Sequence, residues 1–98
     1  MNFNVGSDTK TVIITGGVRG IGRAASMRFA AKGWLVIAGY QNRSDAALSL
    51  RSATTSYSGR IVTVEADIAA SEGREKLVKR ALELTGRVDV LVNNAAIS

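Results

Sequence analysis

The sequence predicts an α/β protein built on a doubly wound parallel sheet with helices on both faces. Four short runs rich in Val, Ile and Leu alternate with three stretches whose apolar residues recur at helical spacing. The runs are almost continuously apolar, which is typical of strands that are covered on both faces. Short connections between such strands and helices favour right-handed β-α-β units that share one sheet.

The predicted strands stand out by composition. They cover residues 11–15, 34–40, 61–66 and 88–93. No repeat or internal linker interrupts the alternation. We therefore expect one incomplete domain over residues 10–98, truncated after its fourth strand, and a flexible arm over residues 1–9.

The three predicted helices lie between these strands. Ser44 and Ser71 are residues that favour helix starts, while Gly33 and Gly86 favour helix ends. Helical spacing predicts that the residues facing the sheet are Ile21, Ala25 and Phe29 in the first helix, Ala47, Leu48 and Leu50 in the second, and Leu77, Val78, Ala81, Leu82 and Leu84 in the third.

The composition excludes several classes of protein. The 98 residues contain no cysteine and no histidine, so disulfides and histidine-ligated metal sites are excluded. We therefore expect no metal site. We also expect no contact with membranes, because the apolar runs reach only five or six residues. The first ten residues lack the layout of a signal peptide, which makes a cytoplasmic location the default expectation.

The net charge of +5 suits an anionic ligand. Proteins that bind nucleic acids concentrate their basic residues on one face or tail. Here the basic residues are spread from Lys10 to Arg87, so we expect no nucleic-acid partner.

The stretch "TGGVRGIG", residues 15–22 and hereafter the glycine loop, lies between the first strand and the first helix. Ligands of open α/β sheets bind at this end of the strands. Glycines permit close approach to the backbone, and free N–H groups at a helix N-terminus attract a pyrophosphate. No Gly-Lys-Ser/Thr follows, so a nucleoside triphosphate loop is excluded. A plain strand-to-helix turn is the structural alternative.

Three elements together resemble the short-chain dehydrogenase/reductase family. The glycine loop resembles its cofactor loop, "ADI" with Asp67 resembles its acidic position at the adenine, and "NNAA" (93–96) resembles its N-N-A-G element, with Ala96 in place of the last glycine. The pattern is similar to 3-oxoacyl-acyl-carrier-protein reductases and glucose dehydrogenases. The resemblance spans almost the whole chain and implies a Rossmann-type sheet that binds a nicotinamide dinucleotide.

The end of the second strand bears on which cofactor is bound. NAD sites usually carry a carboxylate there for the ribose 2′-hydroxyl. Residues 39–42 carry none, and Arg43 follows, whose guanidinium can bind a 2′-phosphate. The resemblance implies the same role for Arg19. We therefore expect NADP(H) in preference to NAD(H), although Arg43 could instead be a solvated turn residue, and we expect Asp45 to cap the second helix.

The expected cofactor contacts come from four segments. Asn94 is expected to touch the cofactor and Asn93 to brace the neighbouring strand, although both amides, like Asp67, could be purely structural. The full set is Gly16, Gly17, Val18, Arg19, Gly20, Ile21, Gly22, Tyr40, Asn42, Arg43, Asp67, Ile68, Asn94 and Ala95.

No catalytic set is expected in these residues. The family's chemistry uses a tyrosine with a lysine four residues later, but Ser44 and Ile61 stand four residues after Tyr40 and Tyr57. The resemblance implies an oxidoreductase that acts on a small carbonyl or alcohol substrate, with these 98 residues as its inactive cofactor-binding part. A non-catalytic NADP(H) sensor is the alternative, and a downstream Tyr-x-x-x-Lys would distinguish the two.

The fourth strand predicts self-association. The resemblance implies that this strand is interior in the family, so without a neighbour "VDVLVN" would form a hydrophobic sheet edge. We therefore expect a homo-oligomer, with order that depends on a missing partner segment as the alternative.

Overall fold

A computed structural model of the chain describes residues 8–95. The expectations for the arm at residues 1–9 and for Ala96 fall mostly or wholly outside these residues and stay predictions.

The described residues form the predicted alternation of strands and helices. The strands are β1 (Thr11–Thr15), β2 (Leu35–Tyr40), β3 (Arg60–Glu65) and β4 (Val90–Asn93). The helices are α1 (Gly20–Ala31), α2 (Ser44–Ala53) and α3 (Ser71–Thr85). β1 has the predicted bounds, while β4 begins two residues later than expected.

All pairings in the four-stranded sheet are parallel, with the order β3-β2-β1-β4. The chain places β2 and β3 on one side of β1 and then returns to place β4 on the other. The carboxyl ends of β1 and β4 therefore flank the point where the strand order reverses, which is where sheets of this kind bind ligands. This topology confirms the expected Rossmann-like α/β fold.

Alternate residues of the two central strands supply two separate cores. One core joins the sheet to α1 and α2, and the other joins it to α3, so both faces are covered as predicted. The first includes Val12, Ile14, Val36, Ala38, Ala30, Ala47 and Leu50, and the second includes Ile13, Leu35, Ile37, Leu77 and Ala81.

The buried face of α1 differs from the predicted one. The side chain of Ile21 is 82% exposed, while Gly22, Ser26 and Ala30 are buried. Small residues on this face let the helix approach the sheet closely, and the Ser26 hydroxyl donates to the carbonyl of Gly17 at 2.9 Å. The expectation that Ile21 packs inward was wrong because only small side chains fit at this helix–loop contact.

The predicted apolar stripes of α2 and α3 are too wide. In α2, Ala47 and Leu50 are buried but Leu48 is 58% exposed. In α3, Val78 and Leu82 are 43% and 50% exposed. Each of these exposed residues directly follows a buried one, and one step along a helix turns a side chain by about 100° away from the sheet.

The predictions for the residues at the helix ends are confirmed in part. Gly33 and Gly86 adopt the left-handed conformation after α1 and α3, with φ of 91° and 74°, which confirms them as helix-ending glycines. Ser44 and Ser71 are the first residues of their helices, but the preceding cap positions make no side-chain hydrogen bond. Asp45 lies in the first turn of α2 and does not occupy its cap position.

Polar contacts at the amino-terminal end of the sheet join β1 to α3 and to the segment before β4. The hydroxyls of Thr11 and Thr85 share a buried hydrogen bond of 2.7 Å. The Asp89 carboxylate accepts the Thr11 N–H at 2.8 Å, and the Asp89 N–H donates to the Thr11 carbonyl at 2.9 Å. The Arg87 side chain donates to Asp89, which lowers the pKa of that carboxyl. These contacts set the position of β4 beside β1.

Candidate functional site

A cleft of about 660 Å³ opens at the carboxyl ends of the strands. It is lined by the glycine loop and by the segments that follow β2, β3 and β4. The predicted contact residues that line it are Gly16, Val18, Arg19, Gly20, Tyr40, Arg43, Ile68, Asn94 and Ala95. The structure therefore brings residues from all four predicted segments to one place.

Other predicted contact residues do not line the cleft. The carboxylate of Asp67 accepts the Ala69 N–H at 2.9 Å and shapes the turn after β3. Asn42 is exposed with a positive φ of 63°, and Ile21 is also exposed. Gly17 and Gly22 are buried, and their lack of a side chain lets the loop pack closely against its neighbours.

Three lining residues were missed in the sequence. They are Gly39, Gln41 and Ala66. Each is adjacent to a residue that was identified, or lies at the end of a predicted strand. Gly39 is also tied to the glycine loop, because its carbonyl accepts the Gly17 N–H at 3.0 Å. The position of these three residues at or next to the ends of predicted strands could have identified them as lining residues.

Two glycines of the loop need their backbone freedom. Gly16 and Gly20 have φ of 64° and 55°, a region that other residues rarely adopt. A Cβ on Gly20 would meet nothing within 4 Å, so this glycine serves the backbone conformation and leaves the space beside it open.

The N-terminus of α1 is not capped by the side chain of its own cap residue. The cap residue Arg19 makes no side-chain hydrogen bond to the helix, and the first turn contains no acidic residue. Amides at a helix N-terminus attract anions through their N–H groups and the helix dipole. Since Arg19 and Gly20 line the cleft, this end of α1 faces it.

The β4 end of the cleft is held to the loop through Thr15. Its hydroxyl oxygen accepts the N–H groups of Asn94 at 2.9 Å and Ala95 at 3.0 Å, and its hydroxyl lies 3.3 Å from the Asn93 side-chain oxygen. The Asn94 side chain donates to the Gly16 carbonyl at 3.2 Å. Both asparagines thus have structural partners, and Asn94 also lines the cleft.

The lining of the cleft is positively charged. Its ionisable cations are Arg19 and Arg43, and no carboxylate is among its lining residues in the described part of the chain. Arg43 forms an exposed ion pair with Asp45 at 3.2 Å between Nε and Oδ1. The hydrogen bond in this pair raises the pKa of Arg43 and lowers that of Asp45.

Two basic side chains of α3 donate hydrogen bonds to the backbone at the end of β3 and just after it. Arg74 donates to the Ile68 carbonyl at 2.8 Å, and Lys76 donates to the Glu65 carbonyl at 2.7 Å. Ala66 is buried and Ile68 half-buried. Ala66 and Ile68 therefore add apolar surface to the cleft, and the backbone around them is tied to α3.

The described residues offer neither a metal centre nor a tyrosine followed four residues later by a lysine. Residues 8–95 contain no group of three or more potential metal-ligating carboxylates. Within the same range, none of the helices is both long and apolar enough to cross a membrane. Tyr40 lines the cleft, but the residue four positions later is Ser44.

Known proteins share this sequence and fold. The family model described as "short chain dehydrogenase" matches residues 10–98. An L-rhamnose 1-dehydrogenase (NAD(P)(+)) of Azotobacter vinelandii is 46% identical over 90% of this chain and 36% of its own length. A 3-oxoacyl-[acyl-carrier-protein] reductase of Synechocystis is 35% identical over 91% of this chain and 36% of its own.

Solved structures agree with these relatives. A dehydrogenase/reductase from Sinorhizobium meliloti superposes with a TM-score of 0.82 at 38% identity, over 90% of this chain and 35% of its own. A short-chain dehydrogenase/reductase from Serratia marcescens gives a TM-score of 0.82 at 35% identity, over 90% and 36%. The chain spans about a third of the length of the relatives it matches. On the family match and these likenesses, the chain belongs to the short-chain dehydrogenase family.

Proposed function

We propose that this chain binds NADP(H) in the cleft and is the cofactor-binding part of an oxidoreductase. The reaction is hydride transfer between the nicotinamide and the carbon of a small carbonyl or alcohol substrate. The observation that carries the proposal is the N-terminus of α1, which opens onto the cleft. Its cap residue Arg19 makes no side-chain hydrogen bond to the helix, and its first turn holds no acidic residue.

The residues present fit a dinucleotide. A cleft of about 660 Å³ lies within the range of small-molecule sites. Its floor is glycine backbone, where an added Cβ on Gly22 would come within 2.0 Å of the Gly16 carbonyl oxygen. At Gly22 the loop and α1 are thus packed so closely that only a hydrogen side chain fits, and the first N–H groups of α1 are the kind of group that binds a diphosphate.

The chain's own residues would bind and orient this cofactor. The amides of Gly20, Ile21 and Gly22 bind the diphosphate, since the first N–H groups of a helix have no partner within it. Ala66 and Ile68 form an apolar wall for the adenine, and the segment after β4 supports the nicotinamide ribose. A nicotinamide held there would supply or accept the hydride.

Two arginines support a preference for NADP(H). Arg19 and Arg43 line the cleft and no lining residue carries a carboxylate that would repel a 2′-phosphate. The name of the Azotobacter relative includes both cofactors, NAD and NADP. The preference proposed for this chain therefore depends on its own charges.

The chain alone is proposed to bind cofactor without turning over substrate. Neither of its two tyrosines is followed four residues later by a lysine. A proton must be transferred to or from the substrate oxygen when the hydride moves. The described residues that line the cleft include no tyrosine–lysine pair for that step.

Calorimetric titration of Arg19→Ala with NADPH and NADH tests this function. Loss of a hydrogen bond to a charged group costs roughly 1.5–3 kcal/mol, so NADPH affinity should fall by that amount. NADH affinity should barely change, because NADH lacks the 2′-phosphate. Arg28→Ala is the control, since Arg28 is exposed on α1 and does not line the cleft. Equal losses for both cofactors would contradict the proposed role, and absence of binding to the unaltered chain would refute the function.

A further inference from the structure

The guanidinium of Arg43 is already engaged by a carboxylate. Its Nε lies 3.2 Å from Asp45 Oδ1 and its Nη2 lies 3.3 Å from Asp45 Oδ2, so the two groups meet through two hydrogen bonds. Arg43 lines the cleft, whereas Asp45 does not. The side chains are 41% and 75% exposed, so the pair lies in water at the rim of the site.

A phosphate binds arginine through the same kind of contact. The guanidinium presents its N–H groups in a planar fork that matches either a carboxylate or a phosphate. A 2′-phosphate that approaches Arg43 must therefore displace Asp45 or share the guanidinium with it. The 2′-hydroxyl of NAD(H) carries no charge and does not need this arginine.

We infer that Asp45 is a specificity-determining residue, which holds Arg43 by ion pairing and thereby weakens the preference of the site for NADP(H) over NAD(H). The inference deepens the proposed function and rests on it. Asp45 acts through Arg43 and is not itself a contact of the phosphate. Arg43 is the N-cap residue of α2, and Asp45 lies two residues later in the first turn of that helix. This spacing keeps the two side chains close to each other.

The test is the variant Asp45→Asn, which removes the charge and keeps the size of the side chain. An exposed ion pair is a weak competitor, so NADPH should bind roughly two- to fivefold more tightly, while the dissociation constant for NADH should change less than about twofold. Both are measured by calorimetric titration of the 98-residue chain. Glu72→Gln is the matched control, because Glu72 is the second residue of α3 as Asp45 is the second residue of α2. This control should leave both constants unchanged.

A double-mutant cycle with Arg43→Gln separates ion pairing from simple repulsion. If Asp45 acts through Arg43, adding Asp45→Asn to Arg43→Gln should leave NADPH affinity unchanged. An equal gain with and without Arg43 would show direct repulsion of the phosphate and overturn the inference.

Two further results would also overturn the inference. One is an Asp45→Asn variant with unchanged NADPH affinity. The other is a selective loss of NADH affinity, which would assign Asp45 to the ribose hydroxyl. If the unaltered chain bound neither cofactor, the proposed function itself would fail, and the inference with it.

Discussion

Gly22→Ala tests the close contact between α1 and the glycine loop. The added Cβ would lie 2.0 Å from the Gly16 carbonyl oxygen, 2.7 Å from the Asn94 side-chain nitrogen and 2.8 Å from the Gly16 carbonyl carbon. Two of these three atoms belong to the backbone, so a change of rotamer cannot relieve the clash. We expect the variant to lose both stability and cofactor binding.

The expected loss of stability in Gly22→Ala follows from these distances. Ordinary van der Waals contact begins near 3.4 Å, so the loop or the helix must move to admit the methyl group. Overpacking of a well-packed interior typically costs about 1–3 kcal/mol and occasionally more. Because the obstacle at Gly22 is backbone, we expect about 3 kcal/mol, which is a large fraction of the stability of a small domain.

Gly20→Ala is the matched control in the same loop. Its Cβ would meet nothing within 4 Å, but its φ of 55° penalises a residue with a side chain. The left-handed conformation costs about 1–2 kcal/mol, and the lower entropy of the unfolded alanine chain offsets part of it. The net destabilisation should be about 1 kcal/mol.

Urea unfolding followed by circular dichroism measures both variants on the 98-residue chain. We expect a clearly lower free energy of unfolding for Gly22→Ala than for Gly20→Ala. If Gly22→Ala were as stable as the unaltered chain, or more stable than Gly20→Ala, the described contact between α1 and the glycine loop would be wrong.

Three other predictions concern the sheet. Thr85→Val removes the buried 2.7 Å hydroxyl contact with Thr11 and should lower the free energy of unfolding by about 1–2 kcal/mol in urea, whereas an unchanged value would contradict that contact. The hydrogen bond from Arg87 lowers the pKa of Asp89, so its stabilising effect is present above the unfolded pKa of about 3.9 and is lost as the pH falls through the folded value. Asp89→Asn should flatten this acid loss in urea titrations from about pH 5 down to about pH 2, and an unaltered profile would refute the assignment. Leu91 is 62% exposed on β4, which has one neighbouring strand in the described sheet. Light scattering should therefore show self-association of the chain, and Leu91→Lys should reduce this self-association. A monodisperse monomer of the unaltered chain would refute the prediction.

Much of this architecture could be predicted from local pattern. The order of strands and helices follows from the alternation of apolar runs and helical spacing, and the two helix-ending glycines, Gly33 and Gly86, occupy the expected conformation. The location of the site follows from the glycine loop, because parallel strands bring their carboxyl ends to one edge. These features depend on residues near one another in the chain.

The errors concern contacts whose geometry cannot be read from the spacing of residues. The buried face of α1 is set by how closely Gly22 approaches Gly16, and such an approach cannot be seen in the spacing of apolar residues. The pairing of Arg43 with Asp45 was also missed, since Asp45 was assigned to a helix cap. Whether a charged side chain meets its neighbour or the backbone depends on the local φ and ψ angles, which sequence spacing does not determine.

The central claim is that the first amides of α1 bind the diphosphate of a nicotinamide dinucleotide. Titration of the ¹⁵N-labelled chain with NADPH, followed by nuclear magnetic resonance, observes these amides directly. We expect the largest chemical-shift changes on the amides of Gly20, Ile21 and Gly22, and we expect inorganic pyrophosphate to reproduce part of them. Shifts confined to other parts of the chain, with these three amides unmoved at saturation, would contradict it.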